Sequence, residues 1–258
     1  MDRDRYDGAM AFEASGDIEG SITELRRLIS SSVDPSGDGL AFVALADNLR
    51  ILGRYDEARD IIRKAYAVLN KKDEQYPYVM YVDACIDKEL GNRRPSLERL
   101  DSILERYASA LENPDYEDLK NNILLIRGYD LVELNRSAEA RPLLELALSK
   151  NLDRPLTLYY LGVCCFDLGD LESAKRNLKE ARSLQLDPIY AARTHFYLGI
   201  IYHQQGQYAW ARQELEWCLQ HGLGHLRKNE VIEGLVGTSK ALGLEHDARR
   251  YAEMLRQL

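Results

Sequence analysis

The sequence predicts an all-α protein built from about seven helix–turn–helix repeats. Long stretches place apolar residues at i, i+3, i+4 and i+7, and no stretch keeps a strand-like alternation over consecutive segments. The helical segments also recur at a nearly fixed interval, as in "LGRYDEARDIIRKA" (52–65) and "LGDLESAKRNLKEA" (168–181). Such a period is typical of a solenoid, in which each helix pair buries its apolar face against the next pair.

The composition excludes several classes of protein. The chain has 258 residues, of which 45% are hydrophobic and 29% charged, as expected for an ordered globular protein. A net charge of −8 argues against nucleic acid or an anionic membrane as the main partner, because both require a basic face. No apolar run is long enough to predict membrane insertion, and the first residues lack the apolar core of a signal peptide. Four cysteines suit unpaired thiols in a reducing compartment, so we expect a cytoplasmic location.

Three columns of residues define the repeats. The turn column needs a left-handed backbone, which glycine and asparagine tolerate best; it contains Gly16, Gly53, Gly91, Asn135, Gly169, Gly206 and Gly243. Five residues later every member is small, so two helices can approach closely: Ser21, Ala58, Ser96, Ala140, Ala174, Ala211 and Ala248. Four residues further the column is apolar throughout: Leu25, Ile62, Leu100, Leu144, Leu178, Leu215 and Ala252. We therefore predict one domain, with repeats at 2–35, 39–72, 77–110, 121–154, 155–188, 192–225 and 229–258 and an insertion at 111–120.

The repeats resemble the tetratricopeptide repeat, a helix–turn–helix unit with the pattern W-x2-L-G-x2-Y followed by A-x3-F. The segment "HFYLGIIYHQQGQYAWARQEL" (195–215) supplies Leu198, Gly199, Tyr202, Gly206 and Ala211 in that register. The resemblance implies a right-handed superhelical solenoid that binds a protein or peptide in a concave groove, without catalysis. Some family members clamp a carboxylate-ended tail with a lysine at position 5 of a repeat. This chain has Tyr, Leu and Phe there, so that clamp is not expected.

The resemblance also places the groove at positions 2, 5, 9, 12 and 13 of each first helix. In the central repeats these positions are rich in apolar and aromatic residues, which are common anchors of interfaces. The predicted site consists of Tyr78, Tyr81, Asn122, Leu125, Tyr129, Tyr159, Val163, Phe166, Asp167, Arg193, Phe196, Ile200 and His203. The ladder at position 5 (Tyr81, Leu125, Tyr159 and Phe196) is the main predicted anchor for an apolar or aromatic peptide. The alternative is that neighbouring first helices bury these rings against each other.

No motif for catalysis, phosphate binding or a metal is present, so we predict neither an enzyme nor a cofactor. The nearest metal-like group is "HGLGH", with His221 and His225, which lacks further ligands at a suitable spacing. His195 falls at a packing position and is predicted to be a hydrogen-bonded structural residue. Cys164 and Cys165 are interpreted as small core residues, because a disulfide between adjacent cysteines is strained.

The last helix raises a second possible function. Tyr251, Met254, Leu255 and Leu258 form a candidate apolar stripe in "ARRYAEMLRQL" (248–258). Either the seventh repeat is itself the cap of the solenoid, or this face docks on another chain. The alternative to a peptide-binding adaptor is therefore a scaffold that self-associates through its terminal repeats.

Overall fold

The computed structural model describes residues 3–32, 38–221 and 228–258. These residues form fourteen α-helices and no β-strand, which confirms the predicted all-α repeat fold. The chain divides into two compact units, residues 1–130 and 131–258. The arrangement of all the repeats as one continuous domain stays a prediction.

Unit 1 contains three complete helix pairs and most of a seventh helix. Its helices are α1 (Arg3–Ala14), α2 (Ile18–Ser31), α3 (Gly39–Ile51), α4 (Tyr55–Val68), α5 (Tyr76–Glu89), α6 (Arg93–Arg106) and α7 (Glu117–Glu133), of which the residues up to Asp130 belong to this unit. Each first helix packs against the second helix that follows it: α1 on α2, α3 on α4 and α5 on α6. The predicted insertion (111–120) overlaps two short 3₁₀ turns, Ala110–Glu112 and Pro114–Tyr116, and its last four residues begin α7.

Unit 2 continues the same pattern. Its helices are α8 (Ser137–Ser149), α9 (Arg154–Asp167), α10 (Leu171–Ser183), α11 (Pro188–Gln204), α12 (Tyr208–His221), α13 (Lys228–Ala241) and α14 (Glu245–Arg256). The pairs are α9–α10, α11–α12 and α13–α14, and α8 packs against α9. The first helices α9, α11 and α13 lie side by side, so one face of the unit is built from first helices alone.

Local sequence explains where the helices begin and end. Asp17 and Asp170 precede α2 and α10, and each carboxylate accepts a backbone N–H from the first turn, at 2.9 Å and 3.1 Å. At the other end, the six glycines of the turn column and Asn135 all have a positive φ. After Gly53, the N–H of Arg54 donates to the carbonyl of Leu49 at 2.8 Å, which closes the helix.

The small residues allow close packing within a pair. A Cβ added at Gly162 of α9 would lie 2.6 Å from Cγ of Leu178 in α10, and one at Gly199 would lie 2.7 Å from Cγ of Leu215. The leucine of the third column therefore rests directly on the glycine of the first helix. This contact is the physical reason for the L-G pair in the repeat.

The four cysteines are buried and unpaired, as the sequence predicted for Cys164 and Cys165. Burial raises the pKa of the Cys85 thiol to about 11 and that of Cys164 to about 12. Such thiols stay protonated near neutral pH and are poor nucleophiles. Cys164 donates a weak hydrogen bond to the carbonyl of Ser137 at 3.1 Å, a structural contact.

Candidate functional site

The predicted groove residues fall into two groups, one in each unit. Tyr78, Tyr81, Asn122, Leu125 and Tyr129 lie in unit 1, and the other eight lie on α9 and α11 of unit 2. The two groups differ in how their side chains meet solvent, and each is described separately.

Five of the predicted residues are too deeply buried to contact a ligand in this conformation: Leu125, Tyr129, Tyr159, Val163 and Phe196. Tyr159 is only 2% exposed and Phe196 only 5%. Leu125, Tyr159 and Phe196 of the position-5 ladder are therefore closed to a ligand, contrary to the prediction that they anchor one, and only Tyr81 is half-buried. In unit 2 the reason is that adjacent first helices pack together and enclose the rings at this position, as the alternative interpretation proposed.

An ion pair and three tyrosines surround the buried end of the unit 2 face. Arg193 of α11 donates from Nη1 to Oε1 of Glu133 at 3.1 Å, and the Tyr160 hydroxyl donates to the same oxygen at 3.2 Å. The rings of Tyr159 and Tyr190 meet edge to face, with centroids 5.2 Å apart. Burial raises the pKa of the Tyr159 hydroxyl, which therefore stays neutral at physiological pH.

The charge of Arg193 is retained within this cluster. Burial by itself would lower the pKa of the guanidinium, but Tyr159 and Glu133 raise it above its ordinary value. The side chains of Arg193 and Glu133 are still 31% and 25% exposed. Both therefore remain accessible to a polar group of a ligand.

Half-buried apolar side chains continue the face of unit 2. Phe166 of α9 packs edge to face on Tyr197 of α11, with ring centroids 5.3 Å apart, and both rings are partly exposed. Ile200 lies one turn further along α11 and is also half-buried. Asp167 is exposed and accepts a hydrogen bond from the Ser137 hydroxyl at 2.7 Å.

Helix α13 packs beside this surface, and two of its glycines face α11. A Cβ at Gly237 would lie 3.4 Å from Cε1 of His203, and one at Gly234 would lie 3.9 Å from Cδ1 of Ile200. His203 Nδ1 is 2.9 Å from the Thr238 hydroxyl, which fixes the ring orientation. We call the half-buried set Phe166, Tyr197, Ile200 and His203, together with Arg193, the unit 2 surface.

Of the predicted residues of unit 1, Tyr78 is covered by the insertion, and Tyr81 lies near the charged Asp47 and Arg50. Tyr78 packs against Tyr116 of the insertion, with ring centroids 5.7 Å apart, and the Tyr116 hydroxyl donates to the Glu74 carbonyl at 3.2 Å. The insertion therefore folds onto a predicted groove ring. Burial raises the pKa of the half-buried Tyr81, and Asn122 is exposed.

Charged pairs also occupy groove positions of unit 1. Arg50 donates from Nε to Oδ1 of Asp47 at 2.7 Å, and Lys88 Nζ lies 3.1 Å from Oε1 of Glu89. The predicted groove is confined to the central repeats and therefore does not include Asp47 and Arg50. They occupy positions 9 and 12 of the second repeat and could have been found.

Sequence reasoning missed other residues for different reasons. Glu133 occupies position 13 of its repeat, but nothing in the sequence indicated that it pairs with Arg193. Tyr197 falls outside the five groove positions, and only its contact with Phe166 brings it to the unit 2 surface.

The histidines have structural partners. His195 Nδ1 lies 2.6 Å from Oε2 of Glu214, and its ring stacks on Trp217 at 3.8 Å, which confirms the structural interpretation. His221 Nδ1 is 2.9 Å from the Trp217 carbonyl, and His225 lies outside the described residues. Within 3–32, 38–221 and 228–258, no group of three or more histidine, cysteine or acidic side chains could hold a metal ion. No helix in these ranges is long and apolar enough to span a membrane.

A comparison of the sequence with known protein families finds one that matches. A sequence profile of the tetratricopeptide repeat matches residues 6–77, 127–174 and 166–216. None of the curated proteins matches the chain in sequence.

Several solved structures share the fold. A tetratricopeptide repeat protein from Parabacteroides merdae is 14% identical, with a TM-score of 0.57 over 99% of this chain and 92% of that one. PilF of Pseudomonas aeruginosa is 19% identical, with a TM-score of 0.62 over 85% of this chain and 90% of that one. YrrB, described as having an unusual peptide-binding site, is 16% identical, with a TM-score of 0.52 over 78% of this chain and 94% of that one. At these identities the likeness concerns the fold.

Proposed function

Because the chain belongs to the tetratricopeptide-repeat family, we propose that it is a non-catalytic adaptor that binds a peptide segment of a partner protein. The family fold supports a role in protein interaction, as an adaptor or scaffold. The finer proposal is that an extended segment with apolar or aromatic side chains lies along the unit 2 surface. We also propose that the adaptor works in the cytoplasm, which suits its four unpaired thiols.

The observation that carries this proposal is the partial exposure of Phe166, Tyr197 and Ile200 on neighbouring first helices. Aromatic side chains that are already ordered by packing lose little conformational entropy on binding, so they make effective anchors. Arg193 and Glu133 lie at one end and supply a donor and an acceptor for a peptide backbone. The buried Tyr159 and Phe196 hold this surface in place and do not contact the ligand.

One of the similar structures gives the proposal further support. YrrB has the same fold and is described as a peptide-binding protein.

A displayed library of random peptides, selected on the wild-type chain, supplies probes for the test. We expect the double variant Phe166→Ala, Ile200→Ala to bind the selected peptides at least about tenfold more weakly, because it removes two anchors. The matched control, Leu146→Ala with Trp210→Ala, removes two exposed apolar side chains from the second helices α8 and α12. Circular dichroism checks that both variants fold. Equal affinities of the two double variants would contradict the proposal.

Self-association through α14 is the alternative function. Three of the four predicted stripe residues have intramolecular contacts, because Tyr251 is buried in the core of unit 2 and Met254 and Leu255 pack against it. Leu258 is exposed. The seventh repeat therefore resembles a cap more than a free docking face. Light scattering that finds a dimer at micromolar concentration would favour the alternative.

A further inference from the structure

A separate pocket of about 400 Å³ lies between the second helices α4 and α6 of unit 1. Its floor includes Tyr66 and Tyr76, and its walls include Lys71, Arg99 and Arg106, with Glu98 at the side. It uses none of the residues predicted for the groove. Three cationic side chains and one carboxylate line this pocket, in a protein whose net charge is −8.

The three cations differ in their partners. Arg99 is held by two carboxylates. Its Nε lies 2.8 Å from Oδ2 of Asp87, and its Nη1 lies 3.0 Å from Oδ2 of Asp83. Lys71 and Arg106 have no carboxylate within ion-pair distance among the residues that the structure describes. Both are exposed and both line the pocket.

Contacts between distant segments hold the pocket in shape. The Tyr107 hydroxyl donates to the carbonyl of Lys71 at 2.7 Å, which fastens the segment after α4 to the end of α6. Tyr76 lies between two other rings, 5.5 Å from Tyr66 and 6.4 Å from Tyr107. The Tyr66 hydroxyl donates to Asp83 at 3.1 Å, so the aromatic floor is tied to the carboxylates that hold Arg99.

Helix ends alone do not account for this arrangement. Lys71 and Arg106 follow or end helices, and a cation near a helix C-terminus is stabilised by the helix dipole. The helix dipole explains the position of each cation separately. It does not explain why both lie on one pocket that has an ordered aromatic floor.

We propose that this pocket binds the carboxylate side chains of an acidic peptide segment in a partner protein. Uncompensated lysine and arginine attract carboxylates and form charge-assisted hydrogen bonds with them. The tyrosine floor accommodates the methylene groups and any apolar neighbour of an acidic residue. The volume lies within the usual range of binding pockets, with room for a few side chains. The site is distinct from the unit 2 surface and does not depend on it.

Isothermal titration calorimetry with a defined probe tests the proposal. The probe is an acetylated and amidated hexapeptide of alternating glutamate and tyrosine, and its partner peptide has glutamine in place of each glutamate. We expect the glutamate peptide to bind the wild-type chain at least about tenfold more tightly than the glutamine peptide. We expect Lys71→Glu with Arg106→Glu to remove that difference.

The matched control is Lys72→Glu with Arg94→Glu, which makes the same change of charge at exposed positions of unit 1 outside the pocket. It should keep the affinity within about twofold, apart from a general electrostatic effect that added salt removes. The difference in affinity between the glutamate and glutamine peptides should persist in Phe166→Ala with Ile200→Ala, which separates this site from the unit 2 surface.

Three results would overturn the proposal: no saturable binding at millimolar peptide, equal affinities of the pocket variant and the control variant, or binding of inorganic phosphate without binding of the peptide.

Discussion

The first-helix faces of the two units derive from the same repeat but differ in what they expose. In unit 2, Phe166, Tyr197 and Ile200 are partly open beside glycine positions of α13. In unit 1, the insertion packs Tyr116 on Tyr78, and ion pairs such as Arg50–Asp47 occupy the groove positions. Position in the repeat therefore sets the direction of a side chain, while its neighbours decide whether solvent or a ligand reaches it.

The largest expected effect comes from replacing a buried ring at a groove position. A half-buried ring at another groove position serves as the comparison. Tyr159→Ala should lower the free energy of unfolding by about 3–5 kcal/mol, because it leaves a large cavity among buried rings. Tyr78→Ala, at a half-buried ring, should cost about 1–2 kcal/mol. Urea denaturation followed by circular dichroism measures both. Similar losses would show that burial does not distinguish the two faces.

A second comparison concerns the arginines that join helices in each unit. Arg99→Met removes a partner of the buried Asp83 and Asp87 and should cost about 2–4 kcal/mol of unfolding free energy. Arg193→Met removes a pair that is partly exposed, and about 1 kcal/mol is expected. Urea denaturation of both variants, repeated in high salt, measures the difference between the two losses of unfolding free energy. A larger loss for Arg193→Met would contradict the ranking.

The smallest effect should come from uncovering Tyr78. Tyr116→Ala removes one ring contact and an exposed hydrogen bond to the Glu74 carbonyl, and it should cost about 1 kcal/mol. Burial raises the pKa of the Tyr78 hydroxyl, with added effects from Asp118 and Asp115, so the variant should lower that pKa towards its ordinary value. An NMR titration of the ring above pH 9 measures it, with Tyr116→Phe as the control that keeps the packing.

The raised pKa of Tyr78 also determines how the stability of the protein changes with pH. The unfolded chain ionises this tyrosine at a lower pH than the folded chain does. The contribution of Tyr78 to stability is therefore complete below its ordinary pKa of about 10 and is lost as the pH rises above it. Tyr116→Ala should reduce this alkaline loss, and an unchanged pKa would show that Tyr116 does not cover the ring.

Part of the candidate site was predictable from the sequence. The pattern placed Phe166, Ile200, His203 and Arg193 on one helical face, because helical spacing fixes which side chains share a face. It also assigned Tyr159 and Phe196 to that face, where both proved buried. Spacing gives an angle around a helix but no distance to the next helix, and exposure depends on that distance.

The sequence by itself determined the all-α repeat, the turn positions and the close helix pairs. These follow from local chemistry: the left-handed turn that glycine or Asn135 permits, and the missing Cβ of Gly162 and Gly199 beneath a leucine. The tertiary structure alone decided the pairing of Arg193 with Glu133, the covering of Tyr78 and the pocket that joins Lys71 to Arg106. Each of these depends on the separation of elements that are distant in sequence, and no local pattern contains that distance.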